Sequence, residues 1–355
     1  MQEVLRFIVQ KGFGLEAASL EELRLAAQVD IPHSKAVFDS PAKRKIEIDI
    51  CASEFKGMIL NVNCIEELEL IPDNPDLQVG LRINPLIKTG APSEFNVSTY
   101  RSKFGIPINI PQIIIEACLK YPYIKGLHIH SGSEIANIQN NVYAIKQLKN
   151  LADEINEIRR EKDIKTRIEF IDIGGGIPAD YSDQPQAGLD IYVNDIKNAC
   201  PNIFDEYRLI TEFGHFIHAH TSWVMSDVEY VLKYSENIPE TAIIHVGADM
   251  FLRQAYSQNQ KKYRISVLNS EGNIKTAAES HYDIAGPLCF AGDYLFRDRR
   301  LPKLEKNDKM IIHDIGANTY ALWSKHCSRD MPKVIGYSID SDRMEVIQQR
   351  QSWSK

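Results

Sequence analysis

The stretch FIDIGGGIP, residues 170–178, decides how the rest of the chain is read. Phe170 to Ile173 form a short apolar run, which predicts a buried strand. Gly174, Gly175 and Gly176 then end it. Glycine loses more backbone entropy on ordering than any other residue, so a triplet needs a cause. Two causes fit: a tight turn, or close approach of backbone amides to an anion such as phosphate.

Outward from that stretch, the first 215 residues repeat one alternation. Apolar runs at 13–18, 35–40, 58–62, 78–84, 124–130, 168–173 and 208–212 predict strands. Amphipathic stretches such as LEELRLAAQ (20–28) and VYAIKQLKNLADEI (142–155) predict helices between them. Strand alternating with helix implies parallel strands joined by right-handed crossovers. The fold class is therefore α/β, a (β/α)8-type barrel, with a first strand that is apparently missing. Residues 3–11 read as a helix and no strand precedes them. After about residue 220 the pattern changes. Segments 222–234, 241–251, 263–269, 281–289 and 309–322 read as strands separated by loops, with no long helix. The expected division is a barrel over 1–220 and a mostly β domain over 221–355. Residues 86–106 form the longest irregular segment and are expected to be a mobile loop.

Composition narrows the function. The 355 residues carry a net charge of -7, without the basic stripe of a nucleic-acid-binding protein. No apolar run approaches the ~20 residues of a membrane span. The opening MQEVLRFIVQKGFG lacks the order of a signal peptide. Cysteines 51, 64, 118, 200, 289 and 327 form no Cys-x-x-Cys pair, so a reducing cytoplasmic setting without a metal site is expected.

In such a barrel the chemistry sits at the C-terminal ends of the strands. Four strands end in polar or special residues: LRINP with Arg82 and Asn84, LHIHSGSE with His128, His130, Ser131, Gly132 and Ser133, IDIGGG, and ITEFGH with Glu212, Gly214 and His215. Together these predict an anion site at the mouth, with Glu212 and His130 left to serve something planar and protonatable. His128 is expected to be a core histidine.

The ordered set of motifs resembles the fold-type III pyridoxal-phosphate decarboxylases, the diaminopimelate and ornithine decarboxylase family. It comprises LEAAS (15–19), LRINP (81–85), SKFG (102–105), LHIHSGSE, DIGGG, EFGH, GPLCFAGD (286–293) and DIGANTYALWS (314–324), and it spans nearly the whole chain. The resemblance implies that His130 stacks on the cofactor ring and that Ser133, Gly175 and Gly176 bind its phosphate. It implies that Glu212 pairs with the pyridine nitrogen, and it counts Gly214, His215 and Asn318 as cofactor contacts. By the same resemblance Cys289 reaches the partner subunit's site in a homodimer with shared active sites and controls reprotonation. Arg253 and Tyr256 match substrate-facing positions. The implied reaction is decarboxylation of an amino acid.

The chain departs from the family pattern in four ways. The cofactor lysine belongs to the strand that is missing, so it would fall before Met1, and Lys11 is not a substitute. A truncated sequence is the expectation, with little activity from the chain as it stands; the alternative is a catalytically inactive homologue that regulates or binds partner subunits. An alanine-racemase-like enzyme shares the architecture but fits the motifs less well. His215 stands where the family has arginine, Phe290 where it has an acid that holds a distal amine, and Asn318 where it has tyrosine.

Overall fold

The computed structural model describes residues 2–73, 75–90, 96–181, 188–257 and 261–351. Residues 91–95 of the expected mobile loop lie outside these. The chain divides into two compact units. One runs to Pro178 and resumes up to Phe213; the other takes residues from Ala179 and everything from Gly214 onward.

The first unit contains β1 (Leu15–Ala17), β2 (Ala36–Phe38), β3 (Ile59–Val62), β4 (Gln78–Asn84), β5 (Ile106–Pro107), β6 (Ile124–His128), β7 (Phe170–Asp172) and β8 (Arg208–Ile210). All pairings are parallel, in the order β1-β2-β3-β4-β6-β7-β8, with the two-residue β5 attached to β4. The seven long-range partners are the seven strands expected from sequence, some trimmed at their ends. Their order never reverses, which separates this arc from a doubly wound sheet with its switch point. Among the described residues, β1 pairs only with β2 and β8 only with β7, so the arc is open between them. Every residue of β2 and β3 is buried. Parallel strands covered on both faces give such unbroken apolar runs.

The helices follow from local chemistry. In α2 (Leu20–Ala27), Ser19 accepts from the Glu22 amide while the Glu22 carboxylate accepts from the Ala18 amide. This reciprocal cap fixes the turn out of β1. Helix α6 (Ile138–Glu161) buries Val142, Ile145, Leu148, Ala152 and Ile155, one stripe at helical spacing. Helix α1 (Gln2–Gln10) buries none of its residues.

The second unit holds β9 (Val224–Leu232), β10 (Glu240–Ile244), β11 (Ile265–Leu268), β12 (Ile274–Lys275), β13 (Ala278–Ala285), β14 (Tyr294–Pro302) and β15 (Lys309–Ile312). They form one sheet in the order β12-β11-β15-β9-β10-β13-β14, antiparallel except for β10 with β13. Its core includes Val228, Phe251, Tyr282, Leu295 and Met310. A hairpin, β16 (Val334–Ser338) with β17 (Arg343–Gln348), stands apart from the sheet. The sequence reading missed β14 and this hairpin. Charges mask β14: YLFRDRRLP looks like a loop, yet Arg297 pairs with Asp283 on the neighbouring β13 at 2.6 Å.

Candidate active site

The strand ends of the first unit bring one charged network together. Arg82 on β4 donates to Asp39, just past β2, at 2.9 Å, with both side chains almost fully buried. His128 closes β6, with Nδ1 3.8 Å from Asp39 and Nε2 3.6 Å from Glu212 beyond β8. Asn61 on β3 donates to the Asp172 carboxylate at 3.0 Å. His130 lies with its Nδ1 3.6 Å from Glu212. Two of the expected site residues of this unit, His130 and Glu212, are thus neighbours.

His128 is buried, as a core histidine would be, but it is a charged one. Burial alone would lower its pKa. The carboxylates of Asp39, Glu212 and Asp172 outweigh that and push it up to about 9. The same contacts act in reverse on Glu212. Burial would raise it, but the His128 imidazole, with His130 behind it, holds it well below the usual carboxylate range. Asp172 is pushed up to about 7 by burial and by Glu212, against the opposing pull of His128, the Gly174 amide and Asn61. The site therefore keeps one carboxylate firmly ionised beside an imidazolium. Asp39, His128 and Glu212 present ligand-type atoms within 4.8 Å of one another, a spacing that their ion pairing explains.

The glycine triplet has a steric cause. A Cβ on Gly174 would lie 2.3 Å from the Ile129 carbonyl oxygen, and one on Gly175 would lie 2.5 Å from that of Glu212. Gly176 adopts φ +114, and a Cβ there would meet the Gly132 carbonyl oxygen at 2.7 Å. The ends of β6, β7 and β8 pack too closely for side chains there, which is the tight-turn reading of the triplet. The Gly175 amide donates to His130 Nδ1 at 3.1 Å, which fixes the imidazole ring. Ser133 is half-buried in the loop after β6.

In the second unit, Gly214 opens the short helix α9 (Gly214–His218). His215 contacts Asn318 at 3.2 Å and the Tyr181 hydroxyl at 2.9 Å. Cys289 is exposed in the loop between β13 and β14. Arg253 and Tyr256 lie on α10 (Leu252–Tyr256), and Tyr256 stacks on Phe290 with ring centroids 5.1 Å apart at 15°. Sequence reasoning missed Asp293, which builds the Cys289 loop. Its buried carboxylate accepts from the amides of Ala248 at 2.6 Å and Leu288 at 2.7 Å. A Cβ on Gly286 would lie 2.4 Å from that carboxylate. An acid closing a Gly-rich turn was the available signal.

Two lysines of the first unit are held by contacts of their own. Lys11 ends α1 with its ammonium 5.2 Å over the Phe7 ring. Lys43 is buried, and its ammonium meets three acceptors: Ser40 O at 2.6 Å, Asn61 O at 2.7 Å and Glu67 at 2.8 Å. Three donors matched to three acceptors hold it as a structural cation.

Comparison with known proteins gives two family matches: "Pyridoxal-dependent decarboxylase, pyridoxal binding domain" over residues 1–219 and "Pyridoxal-dependent decarboxylase, C-terminal sheet domain" over 191–316. The diaminopimelate decarboxylase of Archaeoglobus fulgidus is 26% identical, covering 99% of this chain and 82% of that protein. That of Bacteroides thetaiotaomicron is 28% identical, covering 95% and 85%. Among solved structures, diaminopimelate decarboxylase from Methanocaldococcus jannaschii superposes with a TM-score of 0.82 at 25% identity, covering 99% of this chain and 80% of that one. The Helicobacter pylori enzyme complexed with L-lysine gives 0.85 at 24% identity, covering 99% and 85%, a likeness of fold. An inactive, regulatory homologue finds no support among these relatives. The chain belongs to the pyridoxal-dependent decarboxylases, and its cofactor is pyridoxal phosphate.

Proposed function

We propose that the barrel mouth serves pyridoxal-phosphate-dependent decarboxylation of an α-amino acid. One observation carries the reading: Glu212 Oε1 is buried with no donor within hydrogen-bond distance, His128 Nε2 standing 3.6 Å away, while its carboxylate is held ionised by His128 and His130. An orphaned buried carboxylate oxygen needs a donor, and a protonated ring nitrogen is one. The Gly174–Gly176 loop, where Cβ atoms would collide with backbone, suits a group that approaches main chain closely. The residues of this unit fit the cofactor in these respects.

Bound pyridoxal phosphate supplies an electron sink for the bond between Cα and the carboxylate. The protein's part is positioning and proton control. Glu212 would pair with the ring nitrogen and keep it protonated, and His128 keeps Glu212 charged for that task. His130, fixed by the Gly175 amide, would contact the ring. Ser133, Gly175 and Gly176 would hold the phosphate, and Gly214, His215 and Asn318 would add cofactor contacts. Cys289, in the loop anchored by Asp293, would supply the proton that replaces carbon dioxide on the substrate carbon. Arg253 and Tyr256 face the substrate. Residues 1–220 act as the cofactor domain and 221–355 as the β domain of a cytoplasmic homodimer with shared sites.

Phe290 bears on the substrate. It offers an aromatic face, stacked with Tyr256, where an acid would hold a distal ammonium. This favours an amino acid whose side chain ends without a positive charge over diaminopimelate or ornithine.

The test is release of carbon dioxide from carboxyl-labelled amino acids by the chain with pyridoxal phosphate, without and with methylamine to supply the amine of the family's lysine. The expected result is slow release that rises with methylamine and falls in the E212Q variant. A rate equal to free cofactor with methylamine present contradicts the reading.

A further inference from the structure

Strand register in the first unit sets three ionisable groups side by side. Arg82 on β4 is the register partner of His128 on β6, and His128 is that of Asp172 on β7. A guanidinium next to an imidazolium is a repulsive pair, and burial strengthens the repulsion, so the imidazolium would be the one to give up its proton. Asp39 changes that outcome. Its amide donates to the Ala17 carbonyl at 2.9 Å, which carries the β1–β2 ladder one residue beyond β2 and fixes the aspartate's backbone. Its Oδ2 accepts from Arg82 at 2.9 Å, and its Oδ1 lies 3.8 Å from His128 Nδ1. Arg82 is held as well by the Phe104 ring, whose centroid is 4.3 Å from the guanidinium carbon. One carboxylate therefore stands between the two cations and neutralises the nearer one.

Four buried atoms here have no partner within hydrogen-bond distance among the described residues: Asp39 Oδ1, both ring nitrogens of His128 and Glu212 Oε1. They stand in two facing pairs, Nδ1 against Asp39 Oδ1 and Nε2 against Glu212 Oε1 at 3.6 Å. A single protonation state suits both pairs. Ionised carboxylates only accept, so each imidazole nitrogen has to bear a hydrogen. A neutral imidazole, in either tautomer, would turn a lone pair on one of the carboxylates. Glu212 Oε1 keeps a second lone pair for a further donor. The acids that act on His128 come from three strand ends, Asp39 after β2, Asp172 on β7 and Glu212 after β8, while the neighbouring cation, Arg82, is spent on Asp39.

We propose that Asp39, set in place by Arg82, is the positioning residue that holds His128 doubly protonated against Glu212, so that the proton shared between Glu212 and the cofactor's ring nitrogen stays on the nitrogen. This rests on the pyridoxal-phosphate reading above and adds a residue to it. Asp39 lies outside every motif that carries the family resemblance. An imidazolium beside Glu212 favours the ionised carboxylate. Without that charge the shared proton moves toward the carboxylate, and the ring nitrogen is left as an acceptor.

The test is nitrogen-15 NMR of the full chain labelled at histidine, first without cofactor and then with ring-labelled pyridoxal phosphate, at pH 8 and through a pH series. H128N identifies the His128 signals. In the wild type without cofactor both His128 nitrogens should be protonated, and should remain so until about pH 9. A neutral imidazole at pH 8 overturns the proposal. D39N should lower the pH at which His128 loses its proton by about two units. D39E, which keeps the charge, should restore the wild-type signals, and D39S is the second neutral variant should D39N fail to fold. Wild-type His128 signals in a neutral variant, or equal losses in D39E and D39N, overturn the proposal. With cofactor bound, the ring nitrogen should be protonated in the wild type and unprotonated in D39N. A nitrogen still protonated in D39N overturns the role given to Asp39 and leaves the cofactor reading standing. A folded wild type that binds no pyridoxal phosphate overturns the cofactor reading and the ring-nitrogen role with it, while the His128 signals without cofactor still decide whether Asp39 sets the charge on His128.

Discussion

The barrel mouth and the Cys289 loop solve opposite problems. In the mouth, His128, Asp172 and Glu212 sit together out of water, and their protonation is set by one another. In the loop, Cys289 is exposed, and the single buried acid, Asp293, works as a backbone anchor. Holding a proton at a fixed atom needs burial, because only a low-dielectric setting makes neighbouring charges strong enough to set ionisation. Presenting a thiol needs exposure, so rigidity has to come from beneath. The comparison predicts that substitutions in the mouth change ionisation, and those under the loop change order.

The largest effect is expected at Glu212. E212Q should cut methylamine-assisted decarboxylation by about a hundredfold while the chain stays folded. A variant that retains wild-type rate would remove the mouth from the mechanism. Next comes D293A, which strands the Ala248 and Leu288 amides in a buried setting. A loss of about 3 kcal/mol in unfolding free energy is expected, read from urea midpoints. Unchanged midpoints would mean that the loop is ordered some other way.

A smaller effect distinguishes the two regions by pH. His128 is raised to about 9 from an ordinary value of 6.5. The stability it contributes is complete below about pH 6.5 and is lost as pH rises through about 9. Asp172, raised to about 7, acts with the same sense in a lower window, its contribution lost as it ionises between 3.8 and 7. The window from pH 7 to 9 lies above the Asp172 range and is where His128 loses its proton. Wild type should lose stability across it, and H128N should not; parallel profiles would refute the charge assignment. The smallest effect concerns selectivity. F290E should shift preference toward amino acids ending in an ammonium group by about tenfold, measured as a ratio of kcat/KM values.

The barrel was largely legible because parallel strands buried on both faces, such as AVF (36–38) and ILNV (59–62), read as apolar runs. The arc beginning on a helix was legible for the same reason. Strand β14 was not, since its arginines are satisfied by partners on another strand. In the site, strand-end position singled out His130 and Glu212. Asp39 and Asp172 passed as ordinary polar residues, although an aspartate ending each apolar run was the signal. The charge on His128 was hidden, because it depends on carboxylates from β2, β7 and β8, distant in sequence.

The account's central claim is that Glu212 holds a proton on the cofactor's ring nitrogen. The direct measurement is the nitrogen-15 chemical shift of ring-labelled pyridoxal phosphate bound to the chain at pH 8. The account predicts a protonated ring nitrogen in the wild type and an unprotonated one in E212Q. An unprotonated nitrogen in the wild type, or the same shift in both proteins, would contradict it.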